Sequence, residues 1–101
     1  MDEITKIIIK KLPKFIHQTK VGKMKWVMVA DKTFETKFHS KNVIESMRIG
    51  NGPTLNYYAI SLLFSDSKHD IILKYDEHKV DQLYDIITKK VKPLSYFLNL
   101  L

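Results

Sequence analysis

Seven lysines (Lys6, Lys10, Lys11, Lys14, Lys20, Lys23 and Lys25) fall within the first 25 residues, opposed there only by Asp2 and Glu3. A lysine ammonium is a compact point charge, and a row of them neutralises phosphates and releases their condensed counterions. Lys6, Lys10 and Lys14 recur every fourth residue, which puts them along one side of a helix. Arg48 is the only arginine, and its planar fork suits bidentate contact with a phosphate or a guanine edge. Gly50 and Gly52 beside it permit close backbone approach. Lys68 stands in a polar turn, Ser65 to His69, of the kind that lies along a nucleic-acid groove and touches phosphate. These nine cations are the candidate nucleic-acid contacts. Each has a plainer explanation beside it: a solvated helix face for the lysines, a glycine-stopped helix end for Arg48, and a polar turn for Lys68, whose neighbours Asp66 and Asp70 repel phosphate.

Other chemistry finds little support. His17, His39, His69 and His78 lack the spacing of a metal site, and there is no cysteine for a thiolate ligand, a nucleophile or a disulfide. The acids Asp70, Asp76 and Glu77 sit beside lysines or at a helix start, where capping accounts for them. No nucleophile elbow, glycine-rich phosphate loop or zinc-protease motif is present. The expectation is a protein without catalytic residues, metal or cofactor. Trp26, Tyr57 and Tyr58 are candidate stacking platforms for unpaired bases. Adjacent strand residues face opposite ways, so at most one of the two tyrosines is core, and Trp26 in its valine run reads as core.

The elements that must position these residues follow from periodicity. Ile4, Ile7, Ile8 and Leu12 share one helical face behind an Asp2 cap, and Pro13 predicts a break near residue 12, with a short second helix carrying Phe15 and Ile16 before Gly22. Lys25 to Ala30 and Thr33 to His39 read as strands about an Asp31–Lys32 turn, with Phe34, Thr36 and Phe38 facing one way. Ser40 reads as a cap for a short helix at 41–48, ended by Gly50-Asn51-Gly52-Pro53; the rival is a kinked strand running on to Ile49. Leu55 to Phe64 and His69 to Tyr75 read as a hairpin. Asp76 reads as the cap of a helix at 77–91 whose stripe is Val80, Leu83, Tyr84, Ile87 and Val91, with Tyr75 and Val80 as a hydrophobic staple. The apolar tail 94–101 is expected either to complete the core or to pair with a second copy.

The fold class expected is therefore α+β: an antiparallel sheet of about four strands in two hairpins, with an N-terminal helix, a short middle helix and a C-terminal amphipathic helix packed on it. From Trp26 to Val91 this outline resembles the end of a pleckstrin-homology-like domain, and the last hairpin resembles the wing of a winged helix; no signature residue carries over. The chain of 101 residues is one domain by size, 45% apolar and 28% charged, with no run long enough to span a bilayer, and is expected to be cytoplasmic. Its charge of +6 is uneven: +5 over residues 1–25, −2 over 26–88 where nine acids meet seven bases, and +3 over 89–101 from Lys89, Lys90 and Lys92. If the two basic ends meet in space they form one cationic surface. The functional expectation is a basic, probing-for-phosphate protein: a DNA-binding accessory or regulatory factor of a phage or plasmid, acting as a homodimer. The alternatives are a protein-interaction module that docks on an acidic host surface, such as a phage-encoded inhibitor, and, more remotely, a binder of anionic lipid.

Overall fold

Five strands and two helices follow one another in the computed structural model, which describes residues 2–38, 44–91 and 98–101. Helix α1 (Glu3–Lys20) leads into strands β1 (Val27–Ala30), β2 (Thr33–Lys37), β3 (Ile44–Asn51), β4 (Tyr57–Phe64) and β5 (Lys68–Lys74), and helix α2 (Val80–Lys90) closes the order. The strands form one antiparallel meander in sequence order, β1-β2-β3-β4-β5. The class is α+β as expected, with five strands in place of about four and two helices in place of three among the described residues.

The sheet's alternation builds the core. Phe34, Ile49, Ile60 and Ile71 sit opposite one another across four strands, and all are buried. The next inward row holds Thr36, Met47, Leu62 and the half-buried His69. Against this face pack Leu12, Phe15 and Ile16 of α1 and Val80, Leu83 and Ile87 of α2, in one continuous apolar cluster. Tyr84 of α2 meets Phe34 edge-on at 5.8 Å, lies 4.7 Å from Tyr58, and donates its hydroxyl to the Lys32 carbonyl at 2.9 Å. Burial, and then the nearby Asp carboxylates, hold the Tyr58 phenol above its ordinary pKa; for Tyr84 burial is again the first cause, followed by Tyr58 and Asp31. The opposite face of the sheet carries the row Glu35, Arg48, Ser61 and Asp70, tied by an Arg48–Glu35 ion pair and a 2.6 Å hydrogen bond from Ser61 to Asp70.

Three local expectations are corrected. Pro13 does not break the first helix: α1 runs unbroken from Glu3 to Lys20. Pro13 is exposed, while Ile8, Leu12, Phe15, Ile16 and Thr19 form one buried stripe on either side of it, and burial of that stripe outweighs one lost backbone hydrogen bond. The helix expected at 41–48 is strand β3 from Ile44 onward; His39–Val43, and with them the Ser40 cap, lie outside the described residues. A two-turn helix is marginal, whereas β3 is central and pairs on both edges. Gly50 belongs to that strand, opposite Ala59, and the position takes glycine because a Cβ there would come within 2.8 Å of the Thr33 hydroxyl. Finally, α2 starts at Val80 rather than 77, behind Lys79 in left-handed backbone (φ 62°) and with no side-chain cap. Asp76 therefore does not cap it, and Tyr75 does not occupy the staple position.

Candidate functional site

The N-terminal lysines are positioned by the way α1 ends. Asp2 caps its start, accepting a 2.8 Å hydrogen bond from the Thr5 amide, and that bond, more than the nearby His69, holds the Asp2 carboxyl below its ordinary pKa. At the other end Gly22 takes a left-handed φ of 80°, the Lys23 amide donates to the Gln18 carbonyl at 2.9 Å, and the Gly22 amide donates to that of Thr19 at 3.3 Å. This is a Schellman stop, and it needs glycine at that φ. It folds residues 23–26 back alongside α1. The buried Trp26 then fixes the return, donating its indole N–H to the Thr19 hydroxyl at 3.0 Å, and Thr19 is itself fully buried.

This return leaves a space beside the sheet. β1 joins β2 only from Val27, opposite Glu35, to Ala30, so β2 beyond Glu35 has no β1 partner among the described residues. Between that end of β2 and the flank of α1 lies a cleft of about 1050 Å³. Its apolar walls are Ile7, Ile8 and Phe15 of α1, Met24 of the return, Val27 at the start of β1, and Phe38 and Ile44 at the β2 and β3 ends. Five lysines reach it as well: Lys11 and Lys14 from α1, Lys23 and Lys25 from the return, and Lys37 from β2. All five are exposed, and the one carboxylate lining the cleft, Glu35, is paired with Arg48.

Of the nine expected contacts, Lys11, Lys14, Lys23 and Lys25 converge on this cleft. Lys6 and Lys10 continue the row along the exposed side of α1, a helix about 27 Å long at 1.5 Å per residue. Lys20 is exposed at the helix C-terminus, where the Lys90 ammonium donates to its carbonyl at 2.9 Å and satisfies a group the helix leaves open. The basic end of α2 thus meets the basic end of α1; Lys92 lies outside the described residues. Among the described residues, none of the seven N-terminal lysines forms an ion pair. Arg48 and Lys68 are placed differently. Arg48 is engaged with Glu35 on the helix-free face of the sheet, and Lys68 lies 3.7 Å from Asp70 on β5, the strand at the other edge of the sheet from β1.

The aromatic candidates are also separated. Trp26 is core, Tyr58 packs on α2, and Tyr57 is exposed on the helix-free face. His17 and His78 are exposed, His69 stands 3.6 Å from Asp2, and no three metal-ligating side chains gather among the described residues. Nor is any described helix long and apolar enough to cross a membrane. Lys37, Phe38 and Ile44 complete the cleft and are not among the nine contacts expected from the sequence. Lys37 was legible only as one polar residue of an alternating strand, and nothing local ties it to a helix that ends at Lys20. Comparison with family models, with curated proteins and with solved structures finds no match for this chain.

Proposed function

We propose that this chain is a non-enzymatic nucleic-acid-binding protein that grips phosphates along α1 and around the adjoining cleft. The observation that carries this reading is the set of seven exposed N-terminal lysines without carboxylate partners among the described residues, four of them on one cleft and the others along α1 and at its end. Such a track, longer than the cleft itself, matches a polymer of regularly spaced negative charge better than a single small anion. Arg48 and Lys68 drop to a minor role, because each already faces a carboxylate. The test is a gel shift and a fluorescence-anisotropy titration with single-stranded and duplex DNA across a salt series. Binding whose logarithm declines linearly with log salt is expected, and no binding to either form at low salt overturns the reading.

A protein-interaction module remains the second reading, because Tyr57 and Ile72 are exposed on the helix-free face of the sheet and Leu98, Leu100 and Leu101 are exposed near residue 101. The homodimer belongs to it, with those apolar groups as the contact, and sedimentation equilibrium decides it: a monomer at all concentrations removes the dimer.

A further inference from the structure

The cleft beside α1 is not only cationic. Phe15, Met24, Phe38 and Ile44 give it a largely apolar lining, interrupted by Gln18, Glu35 and Thr36, and Ile7 stands 44% exposed at its side while the lysines that line it are exposed. The apolar part of that lining offers a phosphate no hydrogen-bond donor, so phosphate is held by the lysines around it. A duplex offers that surface phosphates, sugars and the polar edges of its bases, since the apolar base faces are stacked inside. A single strand offers both chemistries at once: phosphates for the rim and, a few ångströms away on the same nucleotide, an apolar base face for the interior.

We infer that the α1–β2 cleft is a subsite for unpaired bases, with Lys11, Lys14, Lys23, Lys25 and Lys37 holding the flanking phosphates. This rests on the nucleic-acid reading above and narrows it to single-stranded nucleic acid. An acidic peptide with apolar anchors shares part of this chemistry. The lysine row that continues past the cleft to Lys10 and Lys6 favours the longer, uniformly charged strand.

The experiment is an anisotropy titration of the full chain with a labelled short oligothymidine, with the same strand carrying abasic sites throughout, and with a duplex of equal length. Oligothymidine is expected to bind roughly tenfold or more tighter than the abasic strand, which keeps every phosphate and loses every base. The duplex is expected to follow the abasic strand. Ile7→Gln changes an already exposed residue and should lower affinity several-fold for oligothymidine while leaving the abasic strand unchanged. Lys37→Gln should weaken both. Equal binding of the oligothymidine and abasic strands overturns the inference while leaving phosphate binding intact. Absence of binding to any of the three overturns the proposed function as well. Displacement of oligothymidine by polyglutamate at equal charge concentration also counts against the inference, because it reduces the cleft to a polyanion contact or a peptide site.

Discussion

Helix α1 buries Ile8, Leu12, Phe15, Ile16 and Thr19, and helix α2 buries Val80, Leu83 and Ile87, so both turn an apolar stripe toward the same face of the sheet. Their solvent sides differ. In α2 two aspartates accompany two lysines, and Lys89 pairs with Asp85 one turn away at 2.8 Å. In α1 five lysines accompany only Glu3, at the far N-terminal turn. Charge on α2 is balanced where it arises, as on an ordinary solvated helix worth a few tenths of a kcal/mol per pair. Charge on α1 is left over, and the fold stacks more of it alongside by returning Lys23 and Lys25 past the helix and setting Lys37 opposite. Two helices that contribute alike to packing thus differ in what they leave available to a partner.

The comparison breaks most visibly if the shared packing role is false. Leu12 and Leu83 are both fully buried, so Leu12→Ala and Leu83→Ala should each cost about 2–5 kcal/mol in chemical denaturation. A loss below about 1 kcal/mol at either position would show that helix to be only loosely docked. The next effect separates the backbones. Only α1 contains a proline, and Pro13→Ala restores a hydrogen-bond donor on an exposed position, so stability should rise, by at most about 3 kcal/mol. A fall in melting temperature would mean that Pro13 is required for the path of the helix.

Charge reversal sharpens the electrostatic half. Lys10→Glu with Lys14→Glu should weaken DNA binding roughly tenfold, about 1.4 kcal/mol, and reduce the slope of log affinity against log salt by about two. Lys89→Glu on α2 should change affinity less than about twofold, since that lysine already has its carboxylate. Equal losses at the two places would reduce the contrast to net charge alone. The smallest effect concerns the start of α1. The Thr5 amide holds the Asp2 carboxyl below its usual 3.8, so its cap stabilises the fold fully above that value and is lost as pH falls through the lower folded-state value. Asp2→Ala should lower the melting temperature slightly at neutral pH, and the gap from the native chain should close in strongly acid solution. A gap that persists there would trace to something other than the charged cap.

Much of the fold was legible because its signals are local. The β4–β5 hairpin, the alternation of Phe34 and Thr36, the stripe of α2 and the Gly22 stop all follow from residues within a few positions of one another. The middle of the chain was not legible. Ile44 and Met47 fit a helical spacing, and Met47 and Ile49 fit a strand equally well; the choice fell to Phe34 and Ile60, which flank Ile49 from two other strands. Of the candidate site, the lysines of α1 and the return could be named in advance, whereas the fate of Arg48 could not. Its partner Glu35 is 13 residues away, and only the β2–β3 register sets them side by side.

By itself the sequence determined an α+β chain with an amphipathic helix at each end and an excess of positive charge in the first 25 residues, because periodicity and composition are properties of neighbouring residues. The tertiary structure alone decided that α1 passes through Pro13 unbroken, that Lys90 meets Lys20, and that Lys37, Phe38 and Ile44 close a cleft with α1. Those outcomes depend on burial and pairing between segments far apart in the chain, and such long-range terms outweigh the local propensities that a one-dimensional reading weighs.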